Sequence, residues 1–232
     1  MVDLTAEMAG LWTALGAAPA HRGRLIMFVS AVKGEGVSTV SREFARLAAV
    51  RATKPVWLID ADLMHQQQQV HMIQHPDRFG RAGEAVAGSP DGSSFFTIKP
   101  PFLDKSGQRI RPARLLTAKP FLGRRLYATR FQQEALKAGQ SANILKQGDY
   151  WSGLSQHAEA VIVDAPSVDV SDAALMMVPF MDEVVIVVGE NAAIEPPLLL
   201  KEQILSAGGR VTGMVINRAT YQPPKLMKKF MG

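Results

Sequence analysis

The chain has 232 residues, 47% hydrophobic and 20% charged, with 14 prolines, 19 glycines and no cysteine. That balance suits one globular α/β domain and excludes a disordered chain, a collagen-like repeat, a disulfide framework and a thiolate metal site. The formal charge of +5 is modest but unevenly placed.

The N-terminal stretch MVDLTAEMAGLW carries acids where a secretory leader would carry bases, so export is not expected. The longest apolar runs, around Leu25–Val32 and Val184–Val188, fall far short of the roughly 18 residues of a membrane span. The expectation is a soluble cytoplasmic protein.

In chain order, Arg24–Ser30 reads as a first strand that runs into the loop Ala31–Thr39 and a helix over Ser38–Ala52. Pro55–Asp60 reads as a second strand, ending in Asp60-Ala61-Asp62. From Met64 to Phe121 no long periodic pattern survives: Gln66–Gln69 is followed by Gly80, Gly83, Gly88, Pro90, Gly92 and the pair Pro100-Pro101. Such a stretch inside a compact domain is functional or mobile. Arg125–Thr129 reads as a strand and Phe131–Lys137 as a helix. Further strands fall at Ala160–Asp164, Glu183–Gly189 and Val211–Asn217, with helices at Ser171–Val178 and Glu195–Ala207.

The strands are nearly continuous in Val, Ile and Leu, as strands buried on both faces of a parallel sheet are. Their alternation with helices predicts right-handed βαβ units in a doubly wound, mostly parallel α/β sheet with helices on both faces. The reading is a single domain over 1–232, with a Gly/Pro-rich basic insertion at about 64–121 and a short basic amphipathic tail at 223–232.

Ten bases crowd between Lys99 and Lys137 against only Asp104 and Glu134. A run of this kind is a solvated, partly mobile surface or a docking face for something anionic. Phe102, Phe121, Tyr127 and Phe131 fall among them without a regular interleaving of ring and base, so nucleic acid is not the expected partner.

The loop after the first strand carries the chemistry. Glycines let backbone amides converge on phosphate oxygens, and the following helix start adds its own free amides and dipole. The spacing matches G-x-x-x-x-G-K-[ST], with Ala31 at the first glycine, Gly36 at the second and Ser38 as the hydroxyl. Val37 stands at the lysine. A charge-assisted bond there contributes about 1.5–3 kcal/mol, so its loss costs about tenfold to a hundredfold in nucleotide affinity. Phosphoryl transfer suffers further, because it depends on charge stabilisation and positioning. Lys33, four residues earlier, either substitutes for the missing cation or points to solvent. Asp60 and Asp62, with Asp164 on a later strand end, are placed to hold Mg²⁺ or its waters beside such a loop, because hard cations take oxygen ligands.

With these motifs the chain resembles the bacterial tyrosine kinases of capsule and exopolysaccharide synthesis (BY-kinases), within the MinD/ParA branch of P-loop proteins. The likeness spans about Glu7 to Asn217 outside the middle insertion. Ser30-Ala-Val-Lys-Gly-Glu-Gly-Val-Ser-Thr39 is similar to S-x-x-P-G-E-G-K-S-T, and Leu58-Ile-Asp-Ala-Asp62 to the D-x-D-x-R motif. Val161-Ile-Val-Asp-Ala-Pro-Ser-Val168, with Ser171-Asp-Ala-Ala after it, is similar to I-I-D-T-P-P-V followed by T-D-A. Gly208–Arg218 resembles the last strand, whose Asn and basic residue frame the adenine.

The resemblance implies ATP or ADP with Mg²⁺ as ligands. It places Lys33, Gly34, Glu35, Gly36, Val37, Ser38, Thr39, Asn217 and Arg218 around the nucleotide. Ser38, Asp62 and Asp164 fall at the metal, and Asp60 and Asp62 are the catalytic carboxylates. The implied partner is a membrane polysaccharide co-polymerase or another exopolysaccharide-synthesis protein, at the inner membrane, with homo-oligomers possible.

The departures are as informative. Val37 replaces the lysine, and Met64 stands where D-x-D-x-R has arginine. The oligomerisation helix E-x-x-R-x-x-R is reduced to Glu7, Gly10 and Thr13, and of the C-terminal tyrosine cluster only Tyr221 is present. Together they imply a non-catalytic or weakly active kinase-like regulator or scaffold of exopolysaccharide biosynthesis and export. In that case Asp60, Asp62 and Asp164 persist as helix-cap and sheet-end residues. The alternatives are an active tyrosine kinase or ATPase using Lys33, and a positioning ATPase of the ParA/MinD kind.

In the tail, Leu226, Met227, Phe230 and Met231 fall on one helical face with Lys225, Lys228 and Lys229 around the rest. This resembles the membrane-targeting tail of MinD and suits contact with an anionic membrane surface. His71 and His75 are spaced i,i+4, but no carboxylate joins them at matching spacing, so a metal site is not expected there.

Overall fold

The computed structural model describes residues 4–16, 18–101, 103 and 106–217. Arg218, Tyr221 and the tail at 223–232 lie outside them, as do Asp104 and Lys105.

The elements run α1 (Thr5–Ala14), β1 (Arg24–Val29), α2 (Val37–Arg51), β2 (Val56–Asp60), α3 (Gln68–Gln74) and α4 (Pro76–Phe79). Then come β3 (Val86–Ala87), β4 (Phe96–Lys99), β5 (Leu116–Phe121), β6 (Leu126–Phe131), β7 (Ser141–Ile144) and α5 (Asp149–His157). The chain continues through β8 (Ala160–Asp164), α6 (Ala173–Met177), β9 (Glu183–Gly189), α7 (Glu195–Ser206) and β10 (Val211–Asn217).

One sheet has the order β10-β9-β1-β8-β2-β6-β5-β3. The six strands from β10 to β6 are parallel, and β5 and β3 add on antiparallel at the far edge. The mostly parallel doubly wound fold is therefore present. Alternation along each strand divides the core. Ile26, Phe28, Leu58, Ile162 and Val185 face α1 to α4, while Met27, Ile59, Val163 and Ile186 face α5, α6 and α7. The central strands β1, β2 and β8 are buried at every position, which is why they read as unbroken apolar runs. Val40, Phe44, Leu47 and Ala48 repeat at helical spacing and pack α2 onto its face of the sheet.

One expectation changes. The helix expected over Phe131–Lys137 does not form. β6 extends to Phe131, whose ring packs edge-on to Phe96 at 5.1 Å, and a short 3₁₀ turn covers Gln133–Ala135. Pairing with β5 and burial of the ring outweigh the local helical pattern.

Among its described residues, the segment 64–121 supplies α3, α4, β5 and the edge strand β3 of the main sheet, and β4 of a separate two-stranded sheet with β7. Of its bases, Arg109, Arg111 and Arg114 are exposed. Among the described residues no helix is long and apolar enough to cross a membrane.

Candidate functional site

β1 ends beneath a loop bent by two glycines, Gly34 at φ 91° and Gly36 at φ 96°, and Gly36 opens α2. No side chain caps this helix start. The loop is held by its own residues. Glu35 accepts from the Val32 amide at 3.3 Å and from the Gly189 amide at 3.4 Å, which ties the loop to the end of β9. Asn217, at the end of β10, donates from Nδ2 to the Glu35 carbonyl at 2.8 Å. The Lys33 amide donates to Asp169 at 3.2 Å.

A cavity of about 430 Å³ lies over the carboxyl ends of the parallel strands, where α/β sheets bind ligands. Lys33, Gly34, Gly36, Val37, Ser38, Thr39, Asp60, Asp62 and Asp164 all line it. Glu35 lies instead on a neighbouring cavity of about 510 Å³ with Gly189 and Glu190, and Asn217 braces the loop from behind. Arg218 is outside the described residues. Val37 lines the cavity and also packs into the core under α2, so the position brings no charge to the loop.

The carboxylates are not equivalent. Asp60 and Asp164 are register partners on adjacent strands, and both are buried. Asp60 accepts from the Gln67 amide at 3.0 Å and the Gln68 amide at 3.1 Å, and so caps α3. Asp164 accepts from Gln68 Nε2 at 2.6 Å, and the same nitrogen reaches the Ser41 hydroxyl at 3.2 Å. Gln68 also reaches the Ser38 carbonyl at 3.0 Å, and its Oε1 accepts from Arg42 at 3.0 Å. Asp62 stands at the rim, where its Oδ1 accepts from the amides of Met64 and His65.

Burial raises Asp60 well above the ordinary carboxylate range, and the neighbouring Asp164 charge raises it further. Burial likewise pushes Asp164 up to about 6, against its bond from Gln68. Two negative charges at a dry strand end resist ionising together, so the pair keeps a proton to higher pH than either carboxyl would alone.

Asp60 and Asp164 do not fit a divalent ion as they stand. Asp164 is taken up by Gln68 Nε2 and Asp60 by a helix start. Among the described residues, no three His, Cys, Asp or Glu side chains converge as a ligand group.

Gln68 and Arg42 were not anticipated from the sequence. Four glutamines directly after the Asp-Ala-Asp strand end were the available signal. Far from a polar tract, Gln68 and Gln69 are buried, and Gln69 donates to the Ala128 carbonyl at 2.6 Å.

The raised Asp164 gives a pH test. Its folded value, about 6, exceeds the unfolded carboxylate value near 4, so folding takes up a proton between them. The stability this adds is full below about pH 4 and is lost as pH rises through about 6. Asp164→Asn cannot titrate. Its stability relative to wild type is expected to improve by about 1–3 kcal/mol from pH 4 to pH 7, measured by denaturant unfolding. A pH-independent difference contradicts the assignment.

No protein-family profile and no curated protein matches the sequence. Solved structures do match in fold. The kinase domain of the Escherichia coli tyrosine kinase ETK aligns with a TM-score of 0.58 at 16% identity, covering 95% of this chain and 79% of that one. The VpsO kinase domain aligns at 0.56 and 18%, covering 93% and 95%. The cell-division protein MinD of Aquifex aeolicus aligns at 0.52 and 17%, covering 90% and 73%. The chain therefore has the P-loop fold that these tyrosine-kinase domains share with MinD.

Proposed function

We propose that this chain is a kinase-like regulator or scaffold of exopolysaccharide biosynthesis that performs no phosphoryl transfer. It works by binding a membrane polysaccharide co-polymerase or another protein of that machinery. The kinase-domain fold and the motif resemblance support the setting. The observation that carries the loss of catalysis is Val37, an aliphatic side chain packed into the core at the loop position that must grip the phosphates.

Calorimetric titration of ATP with Mg²⁺ tests this. Wild type is expected to show no binding at millimolar nucleotide, and Val37→Lys to gain about tenfold to a hundredfold in affinity. Tight binding by wild type, with no gain in the variant, defeats the reading.

A second reading has its own observation, because Lys33 lines both cavities beside the loop. If Lys33 supplies the missing cation, wild type hydrolyses ATP and Lys33→Ala abolishes it.

A further inference from the structure

A cation lies buried in this site where no motif asks for one. Arg42 follows the loop along α2, and its side chain is inside the domain. Among the described residues its hydrogen bond runs to Gln68 Oε1 at 3.0 Å, and its Nε has no partner. A buried guanidinium without an opposing charge is costly, so the reason for this one must lie close by. Asp164, Glu43 and Asp60 are the carboxylates whose fields it feels, with Asp164 foremost.

Gln68 joins the two halves. Its carbonyl oxygen takes the Arg42 proton donor, and its amide nitrogen donates to Asp164 Oδ2 at 2.6 Å. Its backbone amide is also spent on Asp60. One fully buried residue therefore contacts the cation and both strand-end carboxyls. Glu43 is already matched from the other side, by Arg78 at 2.6 Å and Arg46 at 2.9 Å. That leaves Arg42 to the Asp60–Asp164 pair.

We propose that Arg42, held in place by Gln68, is the resident counter-cation of the Asp60–Asp164 strand ends, filling the electrostatic role of a divalent metal. The pocket is thereby built to stand without metal. The inference deepens the non-catalytic reading and rests on it in taking this pocket as a former nucleotide site. It also accounts for why the acidic pair survives beside a loop that has lost its lysine: the carboxyls hold α3 and Arg42 in place.

The test is Mn²⁺ binding by the full chain without nucleotide, followed by the paramagnetic resonance of free Mn²⁺ and by melting in Mn²⁺ against EDTA. Wild type is expected to retain no Mn²⁺ and to melt alike in both. Arg42→Met keeps the length and removes the charge. It is expected to bind Mn²⁺ at least about tenfold more tightly and to melt about 2–4 °C higher with metal than with EDTA. Arg42→Lys restores indifference to metal. Should Arg42→Met fail to fold, Gln68→Met breaks the relay and is expected to show the same metal dependence.

Mn²⁺ retained by wild type and lost in Asp164→Asn overturns the proposal, as does a folded Arg42→Met protein that ignores metal. ATP separates this inference from the reading above. Binding that is equal in Mg²⁺ and in EDTA defeats the non-binding reading but agrees with a resident cation. Binding that requires Mg²⁺ overturns the resident cation.

Discussion

Phe95→Ala is expected to lower the unfolding free energy by about 3–5 kcal/mol, the cost of emptying a buried aromatic site that cannot collapse. Phe95 is fully buried, and its ring lies 5.3 Å from Phe96, 5.0 Å from Tyr150 and 5.1 Å from Trp151. Those contacts join the middle segment to α5, and the Phe95 carbonyl also accepts from the Leu145 amide at 2.8 Å beside the β4–β7 pair. The Tyr150 hydroxyl makes a second link, donating to the Gly88 carbonyl at 3.0 Å. Denaturant unfolding measures the loss. A cost below about 1 kcal/mol would mean that the segment packs loosely and that the aromatic cluster is not part of the cooperative core.

Gly36→Ala is the second large effect, at about 3 kcal/mol. Two costs combine. A residue with a Cβ at φ 96° loses about 1–2 kcal/mol to backbone strain. The added carbon would also lie against the Asn217 side-chain amide, which must leave and give up its bond to the Glu35 carbonyl. Losing that bond beside a buried acceptor costs about 1–3 kcal/mol.

The two costs separate in a double-mutant cycle. Asn217→Ala alone is expected to cost about 1–2 kcal/mol, and in its background Gly36→Ala should cost only the backbone strain. Additivity within about 0.5 kcal/mol would show that Asn217 does not brace the loop. The resemblance sets Asn217 beside adenine. In this fold its amide is already committed to the loop backbone, so loss of the residue is read first in stability.

The two positions differ in how far the local sequence reveals them. Gly36 was identifiable because a phosphate loop needs glycine at fixed spacing between a strand and a helix, and all of that lies within one local stretch. Phe95 was not. It sits among glycines and prolines in a segment without helical or alternating period, and its partners Tyr150 and Trp151 are more than fifty residues away.

The six parallel strands were legible for a like reason: burial on both faces demands unbroken apolar runs, and such runs need no distant information. The antiparallel strands β4, β5 and β7 were missed because pairing, not composition, holds them in place. The same pairing carried β6 through Phe131 against a helical pattern.

The candidate site divides along this line. Local spacing announced the loop, the missing lysine at Val37 and the strand-end acids Asp60, Asp62 and Asp164, because each is a short-range arrangement of backbone and charge. The role of Arg42 and Gln68 emerged only from assembly. A buried charge is satisfied by whatever the folded chain brings beside it, and here α2, α3 and the ends of β2 and β8 meet from positions 42 to 164. Composition can count such groups, but proximity in three dimensions makes them partners.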